Sequence, residues 1–423
     1  MERLTTNSGP SIIQKGSGYI LSWPTHGVEA RVSRLRETTM QHIAEVSIRL
    51  NGEGVTRSVF NLLSESGRTD MWRKLKRRRS PDHYPDLDWE KIVEELAAVV
   101  LDSVREGDPE QVLGDLSTHR PVTFLVKPFL IDREPNMIWA DAGSGKSLFA
   151  LFLGVLLDTG YIDTDLKMTV QPDEENKRVL YLDWETKFDR VADRCKRIHN
   201  GLALAEKSNI IYRRCTQPLV HDADRYLDLI DRYKVGLIII DSMGLACPGL
   251  EEADPVNQFF RTLSWMDRTS LIVSHPTKAG QLFGSNYVFA NLRNIWQLKR
   301  SPGMPRTIDV SMFHRKVNDA PRMSAVGWNI DFSDDQITFV RKDVYDTDDR
   351  TSLSIPELVF SVVTKEGPLE RDGLAEIIAD IQSVDVDKIR GAVMTAVSRH
   401  KSSQRLFEEN GYIQVATGNE QDS

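Results

Sequence analysis

Cysteine is nearly absent, with only Cys195, Cys215 and Cys247 in 423 residues. They form no CxxC pair and stand at no metal-ligand spacing from a histidine. This excludes a disulfide framework and a structural zinc site, and points to a reducing cytoplasm. Long apolar runs are lacking too. The longest, Leu148 to Leu157, is about half of what a membrane span requires, so no membrane partner is expected. The opening stretch MERLTTNSGPSIIQKGSG has no apolar h-region, which argues against a secretory signal. Nor is there a global basic surface: the formal net charge is −8. Any contact with nucleic acid must therefore be local. Internal repeats and low-complexity segments are missing. What is present is globular material, 40% hydrophobic and 27% charged, enough for two or three domains at this length.

Charge is unevenly placed. RKLKRRR, Arg73 to Arg79, has six basic residues in seven, while PGLEEADP is acidic. The basic run reads either as a solvated helix face or loop, or as a patch that contacts phosphates.

Three blocks follow one another. Residues 1–115 form an N-terminal block of unknown role, expected to be a smaller α+β domain. In it HIAEVSIRL alternates as a strand does, NGEG is a turn signal, and Asp88 to Glu106 reads as an amphipathic helix closed by Gly107. A linker, DPEQVLGDLSTHRP, comes next. In residues 121–342, short β-branched runs (NMIWA, RVLYLD, NIIYRR, VGLIIID, TSLIVSH) alternate with helical patterns. That alternation predicts parallel strands joined by crossover helices, an α/β sheet with both faces covered. After the polar stretch KDVYDTDDRTS, residues 353–418 read as three helices and a short strand pair, the grammar of a winged helix.

The stretch NMIWADAGSGKSLF has the context of a phosphate loop. A strand ends near Ala140, a small-residue turn follows, and Lys146-Ser147 open a helix. Backbone N–H groups and a helix N-terminus in this setting cradle phosphates. The candidate nucleotide-binding residues are Ala140, Asp141, Ala142, Gly143, Ser144, Gly145, Lys146, Ser147 and Leu148. Lys146 would contact the β- and γ-phosphates and Ser147 would ligate Mg²⁺. Ala140 stands where the strict pattern has glycine.

Hydrolysis requires more than binding. An acid must orient or deprotonate water near the γ-phosphate. VGLIIIDSM puts Asp241 at the tip of a fully apolar strand, where it can hold Mg²⁺ through water. RVLYLDWET puts Asp183 and Glu185 two residues apart, so strand alternation turns both the same way. One can face the phosphates, and Glu185 is the candidate base. Its plainer reading is an acid at the N-terminus of the helix TKFDRVADRCKRI.

On ADAGSGKS, LYLDWET, LIIIDSMGLA and SLIVSHPTK, in that order and spacing, the chain resembles the RecA-type ATPases. Within them it resembles the hexameric replicative-helicase group typified by RepA and DnaB, over about Pro121 to Phe339. The resemblance implies ATP and Mg²⁺ as ligands, Glu185 as general base, and Asp241 as the metal-holding acid. It also implies His275 as a polar γ-phosphate sensor. HRKVN resembles the late basic motif that reaches into a neighbouring subunit, making Lys316, before Arg315, the candidate finger in trans. A homo-oligomeric, hexameric ring acting on DNA, single-stranded by preference, is the implied assembly. Of the loops that would line its channel, Met243 to Pro255 carries Glu251, Glu252 and Asp254, which suit phosphates poorly. Thr277 to Asn286 offers Lys278, the better contact.

In the C-terminal block, Ile389, Val393, Ala396 and Val397 share one helix face. Lys388, Arg390, Arg399 and Lys401 fall on the opposite face, as a helix entering a DNA groove needs. A protein-docking role suits the acidic surroundings equally. The expectation is a cytoplasmic Mg²⁺-dependent ATPase acting on DNA as a helicase. The rivals are a nucleotide-switched DNA-binding regulator or scaffold, and a strand-exchange ATPase of recombination or repair.

Overall fold

The computed structural model describes residues 9–15, 18–38, 41–79, 87–106, 122–161, 165–171, 176–205, 207–276, 284, 286–301 and 306–416. The chain divides into two compact units: Met1–Pro121, Cys215–Gly236 and Gly244–Arg268 make the first, the remainder the second.

The first unit is built on an antiparallel meander: β1 (Ser11–Lys15), β2 (Gly18–Trp23), β3 (Val28–Thr38), β4 (Gln41–Leu50) and β5 (Glu53–Asn61), in that order. Along β4 every second residue, Ala44, Val46, Ile48 and Leu50, is buried, the period that gives a sheet one dry face. Helices α1 (Glu65–Arg78) and α2 (Trp89–Glu106) complete that core. Helix α2 contributes Trp89, Ile92, Val93, Leu96, Ala97, Val100 and Leu101, the stripe expected of an amphipathic helix. The basic run is thus mostly helical. The unit also holds α5 (Ala223–Tyr233), most of the one-turn α6 (Met243–Ala246), and α7 (Ala253–Met266).

The second unit carries β6 (Phe124–Lys127), β7 (Leu130–Ile131), β8 (Pro135–Trp139), α3 (Lys146–Thr159), β9 (Thr169–Val170), β10 (Arg178–Asp183), α4 (Phe188–Gly201) and β11 (Ile211–Arg214). It continues with β12 (Val235–Asp241, from Leu237 on), β13 (Thr269–Ser274), α8 (Asn286–Asn291), β14 (Asn294–Ser301), β15 (Thr307–Val317), β16 (Val326–Phe332) and β17 (Ile337–Lys342). Nine of these strands form one sheet, ordered β11-β10-β12-β13-β8-β14-β15-β16-β17. Strand β8 runs parallel to both β13 and β14, and β12 runs parallel to β13. All of β12 and β13 is buried, which is why Val235–Ile240 and Leu271–Val273 read as apolar runs.

The parallel pairing expected of the named runs holds where β10 meets β11, β12 meets β13 and β13 meets β8; the antiparallel part that adjoins them was not anticipated from the sequence. From β14 onward the pairs are antiparallel, because the connections are too short for crossover helices. Helix α3 is apolar all round and buried along most of its length. It packs with α4 on this sheet. A Cβ on Gly154 would meet Ile239 Cδ1 at 3.0 Å, so glycine lets α3 approach closely. Gly160 ends the helix in a left-handed conformation, the usual glycine stop.

The C-terminal segment holds α9 (Ile355–Glu366), β18 (Leu369–Glu370), α10 (Arg371–Gln382), α11 (Val386–Ser402), β19 (Leu406–Glu409) and β20 (Tyr412–Val415). The strands pair as β18-β20-β19. Leu358, Val362, Leu374, Ile378, Val393 and Val397 form the core beneath them. Ser354 and Glu357 make a reciprocal cap at the start of α9. Among the described residues, no helix is long and apolar enough to cross a membrane.

Candidate active site

The loop between β8 and α3 lies at the carboxyl edge of the sheet, where β8 separates strands reached in opposite directions, the usual ligand position of open α/β sheets. Gly143 and Gly145 take φ +71 and +95, values that side chains with a Cβ rarely adopt. No side chain caps α3, since Gly145 is its N-cap, so first-turn N–H groups remain for an anion. Ala140 is buried and joins the edge of β13 through Ser274 O. Ser144 Oγ donates to Asp141 O at 2.6 Å, which tightens the turn. Leu148 is buried in the sheet core.

Lys146 is 5% exposed, and its ammonium donates to Asp141 O at 2.8 Å and to His275 Nδ1 at 3.2 Å. An ammonium has no acceptor, so His275 carries its proton on Nε2. That nitrogen lies 3.8 Å from Glu185 Oε1. Burial lowers the Lys146 pKa, and the charges of Asp241, Glu185 and Asp141 oppose the shift. Glu185 is 40% exposed on its side chain, and the Ser242 hydroxyl donates to its Oε1.

Asp241 is buried at the tip of β12 and hydrogen-bonded to Tyr181 and Ser147. Burial raises its pKa. The bonds from Tyr181 and Ser147 oppose that rise, and the charges of Asp183 and Glu185 add to it.

The paired acids do not share an orientation, contrary to strand alternation, because β10 ends at Asp183. Asp183 is fully buried, and its Oδ1 accepts the N–H groups of Glu185 and Thr186, both at 2.7 Å. Arg214 approaches the same oxygen at 3.4 Å. Asp183 therefore shapes the turn that presents Glu185. Its Oδ2 is buried with no protein partner among the described residues.

The residues fit a nucleotide with Mg²⁺. The uncapped helix start suits phosphates. Ser147, Asp241 and the orphaned Asp183 oxygen are the hard oxygen donors that this ion and its water shell take. Among the described residues no three His, Cys, Asp or Glu side chains make a metal cage. Mg²⁺ usually binds through one or two carboxylates plus substrate phosphates, and this donor set supplies the carboxylate part.

The remaining candidates lie elsewhere. Asn294 pairs with Asn136, at the start of β8, and with Val317; Lys316 stands beside Ile295. Lys316 is thus at the opposite end of the sheet from its own phosphate loop. Its ammonium donates to Phe289 O at 2.6 Å and Ala290 O at 3.3 Å, and sits 4.8 Å from the Phe289 ring. Arg315 donates to Gln297 Oε1 at 2.7 Å. Lys278 lies outside the described residues. Glu251, Glu252 and Asp254 are exposed. On α11, Arg390 pairs with Asp372, and Lys401 with Glu408 at 2.7 Å. Lys388 and Arg399 are exposed and make no ion pair among the described residues.

Three contributors escape a reading of the sequence. The Tyr181 hydroxyl donates to Asp241 Oδ2 at 2.6 Å. Its one signal is its place two residues before Asp183, and that does not reveal that β10 neighbours β12. Ser242 was visible beside Asp241, but its contact with Glu185 was not. Arg300, at the end of β14, donates to Gly143 O at 2.8 Å; nothing in the sequence says that β14 lies beside β8.

A loop-bearing strand, one strand between it and the acid strand, and a buried lysine that feels the charge of Asp241 and Glu185 make a phosphate-loop type of nucleotide site on an α/β sheet. Residues 102–281 match the family described as an AAA domain. No curated protein matches. Among solved structures, the chain is similar to a KaiC-like protein from the hyperthermophilic archaeon Pyrococcus horikoshii. The identity is 12% and the TM-score 0.36, covering 51% of this chain and 93% of that one.

Proposed function

We propose that this chain is a Mg²⁺-dependent ATPase of the replicative-helicase type, working on single-stranded DNA as a homo-oligomeric, hexameric ring. Lys146 draws the β- and γ-phosphates to the loop, and the first-turn N–H groups of α3 bind their oxygens. Mg²⁺ bound with the nucleotide neutralises charge on the phosphate oxygens. Glu185 takes the proton of the attacking water, held in position by Ser242. His275 passes from Lys146 to the γ-phosphate and reports its presence. The C-terminal segment is read as a winged helix, with Lys388 and Arg399 as its available cations and Arg390 and Lys401 already committed to acids.

The position of Lys316 carries the ring reading. It lies at the far end of the sheet from its own loop, so a catalytic Lys316 must serve a neighbour's nucleotide. A strand-displacement assay with 5′- and 3′-tailed duplexes tests the proposal. Unwinding that requires ATP hydrolysis is expected, and its absence with intact DNA-stimulated turnover overturns the helicase. The second reading, a nucleotide-switched DNA-binding regulator or scaffold, is favoured by the acids bound to Arg390 and Lys401. It predicts ATP-dependent DNA affinity without displacement. The recombination or repair ATPase predicts filaments rather than rings in negative-stain images.

A further inference from the structure

The outward face of α1 is a cationic strip that the ATPase site does not use. Helix α1 buries Met71 and Leu75 against the sheet. Lys74 donates to Ser58 Oγ, Arg78 to Val55 O and Arg79 to Glu53. Those three fasten the helix to β5. Arg73, Lys76 and Arg77, spaced i, i+3, i+4, are exposed and make no ion pair among the described residues. They span roughly 6 Å of helix, close to the separation of neighbouring phosphates on an extended single strand. Half-buried Trp72 flanks them, with the Arg73 guanidinium 5.6 Å from its ring. Asp70, one turn earlier, is the acid nearest in sequence. Helix α2 beside α1 exposes Glu90, Glu94 and Asp102, of which Arg68 takes Glu94 at 2.8 Å. A polyanion is therefore confined to α1 and the β5 side.

We infer that this face of α1 binds the phosphodiester backbone of single-stranded DNA, with Trp72 available for a base to lie against. A membrane surface fits poorly, because the helix's apolar residues point into the core and leave nothing to insert. The inference rests on the DNA reading above and adds the surface that makes the contact.

The test is fluorescence anisotropy of a labelled oligo(dT) with the full chain, between 50 and 200 mM salt. Each cation lost from a single-strand contact removes ~0.7 from the salt slope. Arg73→Gln, Lys76→Gln and Arg77→Gln together should flatten the slope by about 2 and weaken binding, with basal ATP turnover unchanged. Arg73→Lys with Arg77→Lys should keep the slope. No DNA binding by the unaltered chain overturns the DNA reading and this inference together. Binding with an unchanged slope in the triple variant overturns this inference alone. So does a triple variant that loses binding to phosphatidylserine vesicles but keeps oligo(dT).

Discussion

The Tyr181 hydroxyl donates to Asp241 Oδ2 over 2.6 Å, so the acid on β12 is held by the strand beside it. Replacing Tyr181 by Phe leaves a buried carboxylate short of a donor. The variant should lose about 1–3 kcal/mol in urea unfolding, and its ATP turnover should need more Mg²⁺. A wild-type Mg²⁺ dependence in Tyr181→Phe contradicts a role for this bond in holding the acid.

Asp241 itself is expected to trade stability for function. Burial raises its pKa, so the folded chain holds this proton more tightly than the unfolded chain does. Its contribution to stability falls as pH rises from the ordinary carboxylate value through the raised one. At neutral pH the ionised acid is a cost. Asp241→Asn keeps the shape and removes that cost, so the nucleotide-free variant should unfold at a higher urea midpoint while losing Mg²⁺-dependent hydrolysis. A lower midpoint for Asp241→Asn contradicts this.

His314 should make the chain acid-labile. Met323 N–H donates to its Nδ1 at 2.9 Å, so its proton sits on Nε2 and is shared with Asn294 Oδ1 at 2.7 Å. Burial, with Arg322 nearby, lowers its pKa to about 4. The unfolded side chain titrates near 6.5, so on acidification the unfolded state takes up the proton first. Stability from the neutral imidazole is complete above about pH 6.5 and is lost as pH falls towards about 4, on the order of 3 kcal/mol. Urea midpoints of wild type and His314→Gln between pH 7 and 4.5 check this. The variant should lack that part of the pH dependence, and parallel curves contradict it.

Lys316→Ala should bind ATP normally and hydrolyse it slowly, since fingers in trans are worth roughly 10³–10⁵ in turnover. Mixing it with Lys146→Ala protein should restore activity in subunits shown by labelling to exchange. No recovery leaves Lys316 as the cap of α8 that its bonds to Phe289 and Ala290 already make it.

What the sequence disclosed follows from where the signal is local. Gly143, Gly145, Lys146 and Ser147 stand next to one another, so their loop is visible without knowing the sheet. The apolar runs Val235–Ile240 and Leu271–Val273 announce buried strands because burial on both faces leaves no polar side alternating with the apolar one. Strand neighbours leave no such mark. The β14–β17 antiparallel run, the reach of Tyr181 to Asp241 and the approach of Arg300 to Gly143 depend on strand order. Asp183 and Glu185 illustrate the limit from the other side: alternation holds only while the strand lasts, and β10 stops at Asp183.

The central claim is that Glu185 drives hydrolysis in a nucleotide site built on Lys146, and single-turnover hydrolysis beside equilibrium ATP binding tests it most directly. Glu185→Gln should bind ATP as the wild type does and hydrolyse it at least ~10²-fold more slowly. Lys146→Ala should lose tight ATP binding outright. Unimpaired hydrolysis in Glu185→Gln, with the loss appearing in Asp183→Asn instead, would contradict the assignment.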